Sequence, residues 1–475
     1  MKLLPNPLLF VLPILGPLAF GQGPYRYTDL GDLGGGESVA LGLNDAGDVV
    51  GWSTIPGCAT GTGTPCRRAF LWKDGVLTDL GVLPGDEEST ARGINDLGQI
   101  VGTSEANVVA GSGDFRAVTW NGSGPVALPH LGQADSVFAY DINDSGQIAG
   151  HAYDPTVSAD RAVVWQGTTL LPVGQSEPHT YNRLYGINEQ GHVIGSAWEL
   201  FQPGDSIVYD GAWQTIGGTD SPWQNSEAFD LSDAGHRVGL QAFPSGNWHP
   251  AYWAPGAKAA TDAGLLPGHD LGRLLDVNDA GVAVGRTYQE NPPFESRAIL
   301  FDGTTLFDLN ELLVVGTDAH LFEAAEVNEN GDIAGTTLGP NGFRAFLLEP
   351  MKAWTPLGGG TGGAGGKAPV LQGFGSLEGD EAIELRITEV PPAAPVILVA
   401  GTSQVSIPLL GGILIPAPEQ IFTPQLADAT GSLTMGFDWP AGVAPGVPTY
   451  WQGWVVDASG AQGFTSTNAA LAWTE

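Results

Sequence analysis

Lysine is nearly absent from this chain: five occur in 475 residues, and lysine and arginine together number 18 against 52 acidic side chains, for a formal charge of −34. Nucleic acid and anionic membrane surfaces are disfavoured as partners, because both demand a basic footprint. Cations, basic proteins and uncharged glycans remain, and the charge also serves solubility alone. Cysteine is equally scarce. The two present, Cys58 and Cys66, lie in one loop, which suits a local disulfide in an oxidising compartment, with two spectator thiols as the alternative. No histidine or further cysteine stands near them in sequence, so a metal site is disfavoured there. Beyond residue 20 no apolar run is long enough to cross a bilayer. The short catalytic signatures are also missing: there is no His-Glu-x-x-His and no Gly-x-Ser-x-Gly, and the eight histidines are scattered. Gly366-Lys367 does not end a phosphate-binding loop, since Ala368 stands where Ser or Thr is needed. No cofactor is implied.

What is abundant is glycine (70), proline (35) and tryptophan (14), in a chain with 42% hydrophobic residues, which together describe a folded, turn-rich β protein. The length exceeds what one core usually organises. At the start, Lys2 precedes an apolar run from Leu3 to Phe20 that ends in Ala19-Phe20-Gly21, with small residues at both cleavage-defining positions. Residues 1–21 read as a signal peptide, and four prolines argue against a membrane anchor. The expected location is secreted, extracellular or at the cell surface.

One phrase recurs. In Ala91-Arg92-Gly93-Ile94-Asn95-Asp96-Leu97-Gly98-Gln99-Ile100-Val101-Gly102 a strand leads into a tight Asn-Asp-x-Gly turn and a second strand. The asparagine returns at Asn44, Asn143, Asn188, Asn278 and Asn328, and a degenerate copy stands at Leu231-Ser232-Asp233-Ala234-Gly235. The seven copies are spaced 44 to 51 residues apart, the period of a four-stranded propeller blade. Each continues through a strand such as Arg68-Ala69-Phe70-Leu71-Trp72, a second turn such as Asp74-Gly75, and a fourth strand such as Val76-Leu77-Thr78-Asp79-Leu80-Gly81. One N-terminal strand, six units of four and a last unit of three make 28 strands, enough for seven blades if Tyr25–Leu30 completes the seventh. Residues 353–358 compete for that edge, although Pro356 weakens them.

These phrases resemble the HAF-type extracellular repeat of secreted bacterial proteins, which pairs an Ile-Asn-x-x-Gly-x-Val-Val-Gly hairpin with a His-Ala-Phe-x-Trp strand. The resemblance covers roughly residues 25–350 and implies a β-propeller without assigned catalytic residues. The chain departs from it in carrying Arg68, Arg116, Arg161, Arg297 and Arg344 where the histidine would stand. The expected organisation is an all-β chain: a seven-bladed β-propeller over 22–351, a Gly-rich linker over 352–368, and a β-sandwich over 369–475 that loosely resembles modules appended to secreted bacterial proteins.

The paired Asn and Asp of each hairpin are expected to hydrogen-bond their own turn rather than bind calcium, since two ligands per turn fall short of the 6–8 oxygens required. In a blade the tight turns share one face and the long loops the other, where recognition residues usually sit. The candidate ligand-binding set on that loop face is Asp32, Glu37, Asp86, Glu87, Glu88 and Asp135 with Trp52, Trp198 and Trp248. Carboxylates beside aromatics suit a sugar or a cation, and equally a merely soluble face. The expected function is a monomeric binding protein for an extracellular glycan, cation or protein. The alternative is a polysaccharide-active hydrolase or lyase assembling its acid and base from different blades.

Overall fold

The computed structural model describes residues 24–474 apart from 60–64, 110–111, 123, 133–135, 174–180, 200–203, 217–225, 244–246, 293, 315–316, 341, 352–353, 363–366, 379–381, 411, 440–442 and 444–445. Residues 1–21, read above as a signal peptide, thus lie outside the described residues. No helix among the described residues is long and apolar enough to cross a membrane.

Each repeated phrase folds as a hairpin whose glycines have separate physical reasons. In the second copy Glu88–Ile94 pairs antiparallel with Ile100–Val109. The turn closes with the Gly98 N–H donating to the Asn95 carbonyl at 2.9 Å, and Gly98 takes φ +74°, a conformation that disfavours any other residue. The phrase ends on Gly102 because a Cβ there would lie 2.0 Å from the Thr90 carbonyl oxygen, so the two strands could not approach.

Two further strands extend every hairpin into a four-stranded antiparallel sheet, and there are seven such sheets. Their inner strands are Ser38–Leu43, Glu88–Ile94, Val137–Ile142, Tyr181–Ile187, Ser226–Leu231, Leu271–Val277 and Leu321–Val327, defining blades 1 to 7. The fold is a seven-bladed β-propeller. The apolar character of both strand faces is used between blades: Val50 and Ala69 of blade 1 pack against Ala91, Ile100, Val118 and Trp120 of blade 2 in one buried cluster.

The ring is closed by its two ends. Tyr25–Asp29 pairs antiparallel with Gly342–Pro350, in register from Tyr25 opposite Pro350 to Asp29 opposite Phe346, and supplies the outer strand of blade 7. Tyr25 is 1% exposed. The competing strand does not fill that edge: Thr355–Gly358 pairs with Phe464–Trp473. The stretch read as a linker therefore contains a strand belonging to the second unit, with Trp354 donating to the Gly375 carbonyl at 3.0 Å from within that unit's core. Its glycine richness masked this, because Pro356 and Gly358 bracket only a short edge pairing. The second unit sets a five-strand path (Thr355–Gly358, Phe464–Trp473, Pro448–Val456, Pro395–Gly401, Gln420–Ile421) against a three-stranded sheet of Val370–Phe374, Ala382–Thr388 and Leu433–Asp438. Ile383, Leu385, Val396, Leu398 and Trp451 fill the space between them.

Cys58 and Cys66 are disulfide-bonded, with Cα atoms 5.5 Å apart, across the outer end of the hairpin formed by Val49–Ala59 and Pro65–Lys73.

On the turn face the blades are tied by a ring of side-chain hydrogen bonds. The asparagine oxygen does bond its own turn, as Asn95 Oδ1 does in accepting from the Gln99 N–H at 2.8 Å. Its amide reaches across to the next blade's carbonyl: Asn44 to Asn95, Asn95 to Asn143, Asn143 to Asn188, Asn188 to Ser232, Asn278 to Asn328, and Asn328 back to Asn44, at 2.9–3.3 Å. The acidic partner corrects the expectation of a purely local turn bond. Asp96 accepts from the Asp45 N–H, Asp144 from Asp96, Glu189 from Asp144, Asp233 from Glu189, Asp279 from Ala234, Glu329 from Asp279 and Asp45 from Glu329, closing a circle of seven carboxylates. The asparagine ring has one gap, at Ser232, which has no amide to donate to Asn278. Ser232→Asn should close it, since the serine Oγ already accepts from the His236 N–H at 3.3 Å as an asparagine oxygen would. The expected gain is about 1 kcal/mol, read as a higher melting temperature in calorimetry; an unchanged or lower value would show that the seam is already satisfied.

Candidate functional site

The loop-face residues are largely occupied with holding their loops. Asp32 accepts from the Gly34 and Gly36 N–H groups at 2.6 and 2.9 Å and pairs with Arg344. Burial alone would raise its pKa, but those N–H groups and the guanidinium hold it below the usual range. Asp86 accepts from Ser104 Oγ at 2.5 Å and pairs with Arg116. Glu88 is buried and accepts from the Arg67 N–H at 3.0 Å. Glu37 lies over Gly342, whereas Glu87 is exposed and its carbonyl receives Arg68. Asp135 lies outside the described residues. Among the tryptophans, Trp52 of blade 1 lies under the Arg67 guanidinium at 4.5 Å, Trp198 of blade 4 stacks on Tyr181 at 5.7 Å, and Trp248 opens a strand of blade 5, half-buried. The arginines at this recurring strand position thus anchor loops: Arg116 to Asp86, Arg161 to Asp154, Arg297 to Asp308 and Arg344 to Asp32.

A better-formed site lies inside the channel, and a backbone irregularity creates it. Every inner strand carries a register shift one step before its turn, between Ala40 and Gly42, Ala91 and Gly93, Ala139 and Asp141, Leu184 and Gly186, Ala228 and Asp230, Leu274 and Asp276, and Ala324 and Glu326. A bulge leaves one residue unpaired and re-aims its neighbours. It brings two successive residues of most inner strands onto a chamber of about 410 Å³. The first of each pair forms one layer: Leu41, Arg92, Tyr140, Tyr185, Phe229, Leu275 and Ala325. The second forms another: Gly42, Gly93, Asp141, Gly186, Asp230, Asp276 and Glu326. Below these lie apolar residues such as Leu43 and Ile94, and then the asparagine and carboxylate rings around the turn-face mouth.

The acid layer is chemically unusual. Asp276 is buried, and Asp141, Asp230 and Glu326 are half-buried and line the chamber. Asp141 accepts from the Ile142 and Ile187 N–H groups at 2.7 and 2.9 Å, and Asp276 from the Val327 N–H at 2.6 Å, so these carboxyls clip one inner strand to the next. Asp230, Asp276 and Glu326 also lie within hydrogen-bonding reach of one another in sequence round the ring. Burial first, and neighbouring carboxylates second, push the pKa of all three well above the carboxylate range. Burial raises Asp141 to about 6. Carboxyls that share protons present both donors and acceptors to whatever enters.

The layer above holds Arg183, Glu227, Arg273 and Glu323 on blades 4 to 7, each two residues before a chamber residue. Most of this charge is paired: Arg183 with Asp160 at 2.5 Å, and Arg273 and Arg286 with Glu323 at 2.7 and 3.0 Å. Arg92 lies over the Tyr140 ring at 5.2 Å, and Tyr140, Tyr185 and Phe229 follow edge to face around the wall at 5.3 and 5.8 Å. His151 stacks behind Tyr140 and Phe138, 2% exposed, with its pKa driven well down by burial and then by Arg183 and Arg92. It is a neutral wall residue.

The structure thus brings together residues that the sequence did not single out. A signal existed: when the copies are aligned, the position two before the turn asparagine's apolar neighbour changes from Leu41 to Arg92, Tyr140, Tyr185, Phe229, Leu275 and Ala325, and the next one alternates between glycine and an acid, while the residue before them stays apolar.

No family model matches the chain, and no curated protein matches it. Solved structures of similar shape include the β-propeller domain of the Trilobed protease from Pyrococcus furiosus (8% identity, 61% of this chain and 92% of that one, TM-score 0.36). Others are Trypanosoma rangeli sialidase in complex with 2,3-difluorosialic acid (8%, 94% and 91%, 0.32) and XC5397 from Xanthomonas campestris, a gluconolactonase (12%, 70% and 91%, 0.31).

Proposed function

We propose that this is an extracellular binding protein that takes a glycan into the channel chamber of its propeller. The observation that supports it is the chamber itself: a space of about 410 Å³ walled by an aromatic arc, an arginine and a layer of carboxyls, all at the positions where otherwise similar repeats differ. Concave sites with apolar walls and a few convergent polar groups are the usual form of small-ligand recognition. Sugar rings offer apolar faces to aromatics and hydroxyls to carboxyls. Export rests on the apolar N-terminal segment and is compatible with the Cys58–Cys66 bridge.

Retention on a glycan array tests this, with two variants. Leu41→Trp fills the chamber and should weaken binding at least about tenfold, whereas Trp52→Ala on the loop face should leave it nearly unchanged. The opposite pattern would return the site to the loop face. The runner-up, a polysaccharide-active enzyme, draws on Glu227 and Glu323 at the upper layer, and release of reducing ends from a retained glycan would favour it.

A further inference from the structure

The charge inside the chamber is divided between its two sides. The acid layer has carboxyls on blades 3, 5, 6 and 7 and glycine on blades 1, 2 and 4, and Arg92 stands on blade 2 between Gly42 and Gly93. A side chain could not replace those glycines freely, since a Cβ at Gly42 would lie 2.6 Å from the Arg92 carbonyl oxygen and one at Gly93 3.0 Å from Asp141 Cα. Arg92 therefore faces the chamber from its carboxyl-poor side.

Arg92 also differs from the other arginines at this depth. Arg183, Arg273 and Arg286 each meet a carboxylate at 2.5 to 3.0 Å. Among the described residues none lies within 4.0 Å of the Arg92 guanidinium, whose one neighbour of note is the Tyr140 ring. Its Nε is buried without a hydrogen-bond partner. Arg92 is half-buried and opens onto the chamber, so its guanidinium is partly desolvated without a counter-ion, which carries a cost, in a chain where acids outnumber bases by 52 to 18. Such a group is a ready seat for an anion: planar, rigidly stacked, and suited to bidentate contact with a carboxylate.

Resting on the glycan-binding reading, we propose that the ligand is a carboxylated sugar, with its carboxylate against Arg92 and its hydroxyls toward the carboxyls of blades 5 to 7. The juxtaposition of an unpaired arginine and a carboxyl layer across one small chamber selects a ligand with an anion at one end and hydrogen-bond donors at the other. A neutral sugar would leave Arg92 unpaired, and a dianion would leave its second charge facing carboxyls, with no cation among the described chamber residues free to receive it.

Titration calorimetry at low salt with D-glucuronate, D-glucose and the disaccharides of each tests this on the exported protein. The expected result is at least about tenfold tighter binding of the glucuronate forms, since a charge-assisted bidentate contact is worth more than one neutral hydrogen bond. Arg92→Gln should erase that preference, Arg92→Lys should keep part of it, and Arg92→Gln should melt no lower than the parent protein because it removes an uncompensated charge. Equal binding of glucose and glucuronate, or a preference that survives Arg92→Gln, would overturn the proposal and leave the glycan reading standing. Absence of binding by every sugar at millimolar concentration would overturn both.

Discussion

Protein lacking residues 22–31 is expected to melt far below the full chain, because those residues carry the strand that joins the two ends of the ring. Tyr25–Asp29 pairs along its length with Gly342–Pro350, Tyr25 also bridges Leu313, and Tyr25 is among the largest fully buried side chains. Its ring packs with Val284, Leu313 and Leu348 in a cluster that spans blades 6 and 7. Losing a fully buried aromatic costs about 3–5 kcal/mol by itself, and an unpaired edge is left along blade 7. The drop should be on the order of 10 °C for a domain of this size. Replacing residues 355–358 by a Gly-Ser segment should spare the propeller transition and weaken the second unit instead, since that strand pairs with Phe464–Trp473. Calorimetry of the two variants separates the effects; a propeller transition unmoved by the first deletion would refute closure by the N-terminal strand.

Raising the pH from 5 to 8 should lower stability, and the channel carboxyls are the reason. Asp141, Asp230, Asp276 and Glu326 all have folded-state pKa values raised by burial above those of the unfolded chain. Such a group binds its proton more tightly in the folded state, so its contribution is intact below the unfolded pKa and is lost as pH rises through the folded value. For Asp141, lifted to about 6, the full loss from acid to pH 8 amounts to about 3 kcal/mol, of which about 1.4 kcal/mol falls between pH 5 and 8. The carboxyls with lowered pKa, Asp32, Asp154, Glu295, Glu419 and Asp428, act in the opposite sense, but below pH 5, and His151, buried neutral, opposes the trend only below its ordinary value of 6.5. Asp276→Asn should flatten the dependence: its remaining oxygen can still accept from the Val327 N–H, and its amide can donate to Asp230 or Glu326 without a proton from solvent. Melting temperatures that rise from pH 5 to 8, or an equal slope in the Asp276→Asn variant, would contradict this account.

The architecture was legible in the sequence because repetition averages out local ambiguity. Seven turns with glycine at the same offset, and strands apolar on both faces, admit few folds other than stacked sheets closed in a ring. Even the closure could be read, since Thr28-Asp29-Leu30-Gly31 repeats the outer-strand phrase Thr78-Asp79-Leu80-Gly81. The site was less legible. Loop carboxylates such as Asp32 and Asp86 look free in a sequence, because their partners Arg344 and Arg116 lie far away along the chain. The chamber depends on a bulge, and a bulge shifts which side chains face inward without changing the residue pattern that announces a strand. Arg92 stood in the most regular copy of the repeat, where regularity itself drew attention to the turn rather than to the one residue that departs from it.

The central claim, that the ligand site is the channel chamber, is tested most directly by a crystal structure of the protein grown with its tightest-binding glycan. The account predicts ligand density inside the ring, against Tyr140 and Tyr185, with an acidic group within hydrogen-bonding distance of the Arg92 guanidinium. Density confined to the loop face beside Trp52 or Trp248, or to the second unit, with the chamber unchanged, would contradict it.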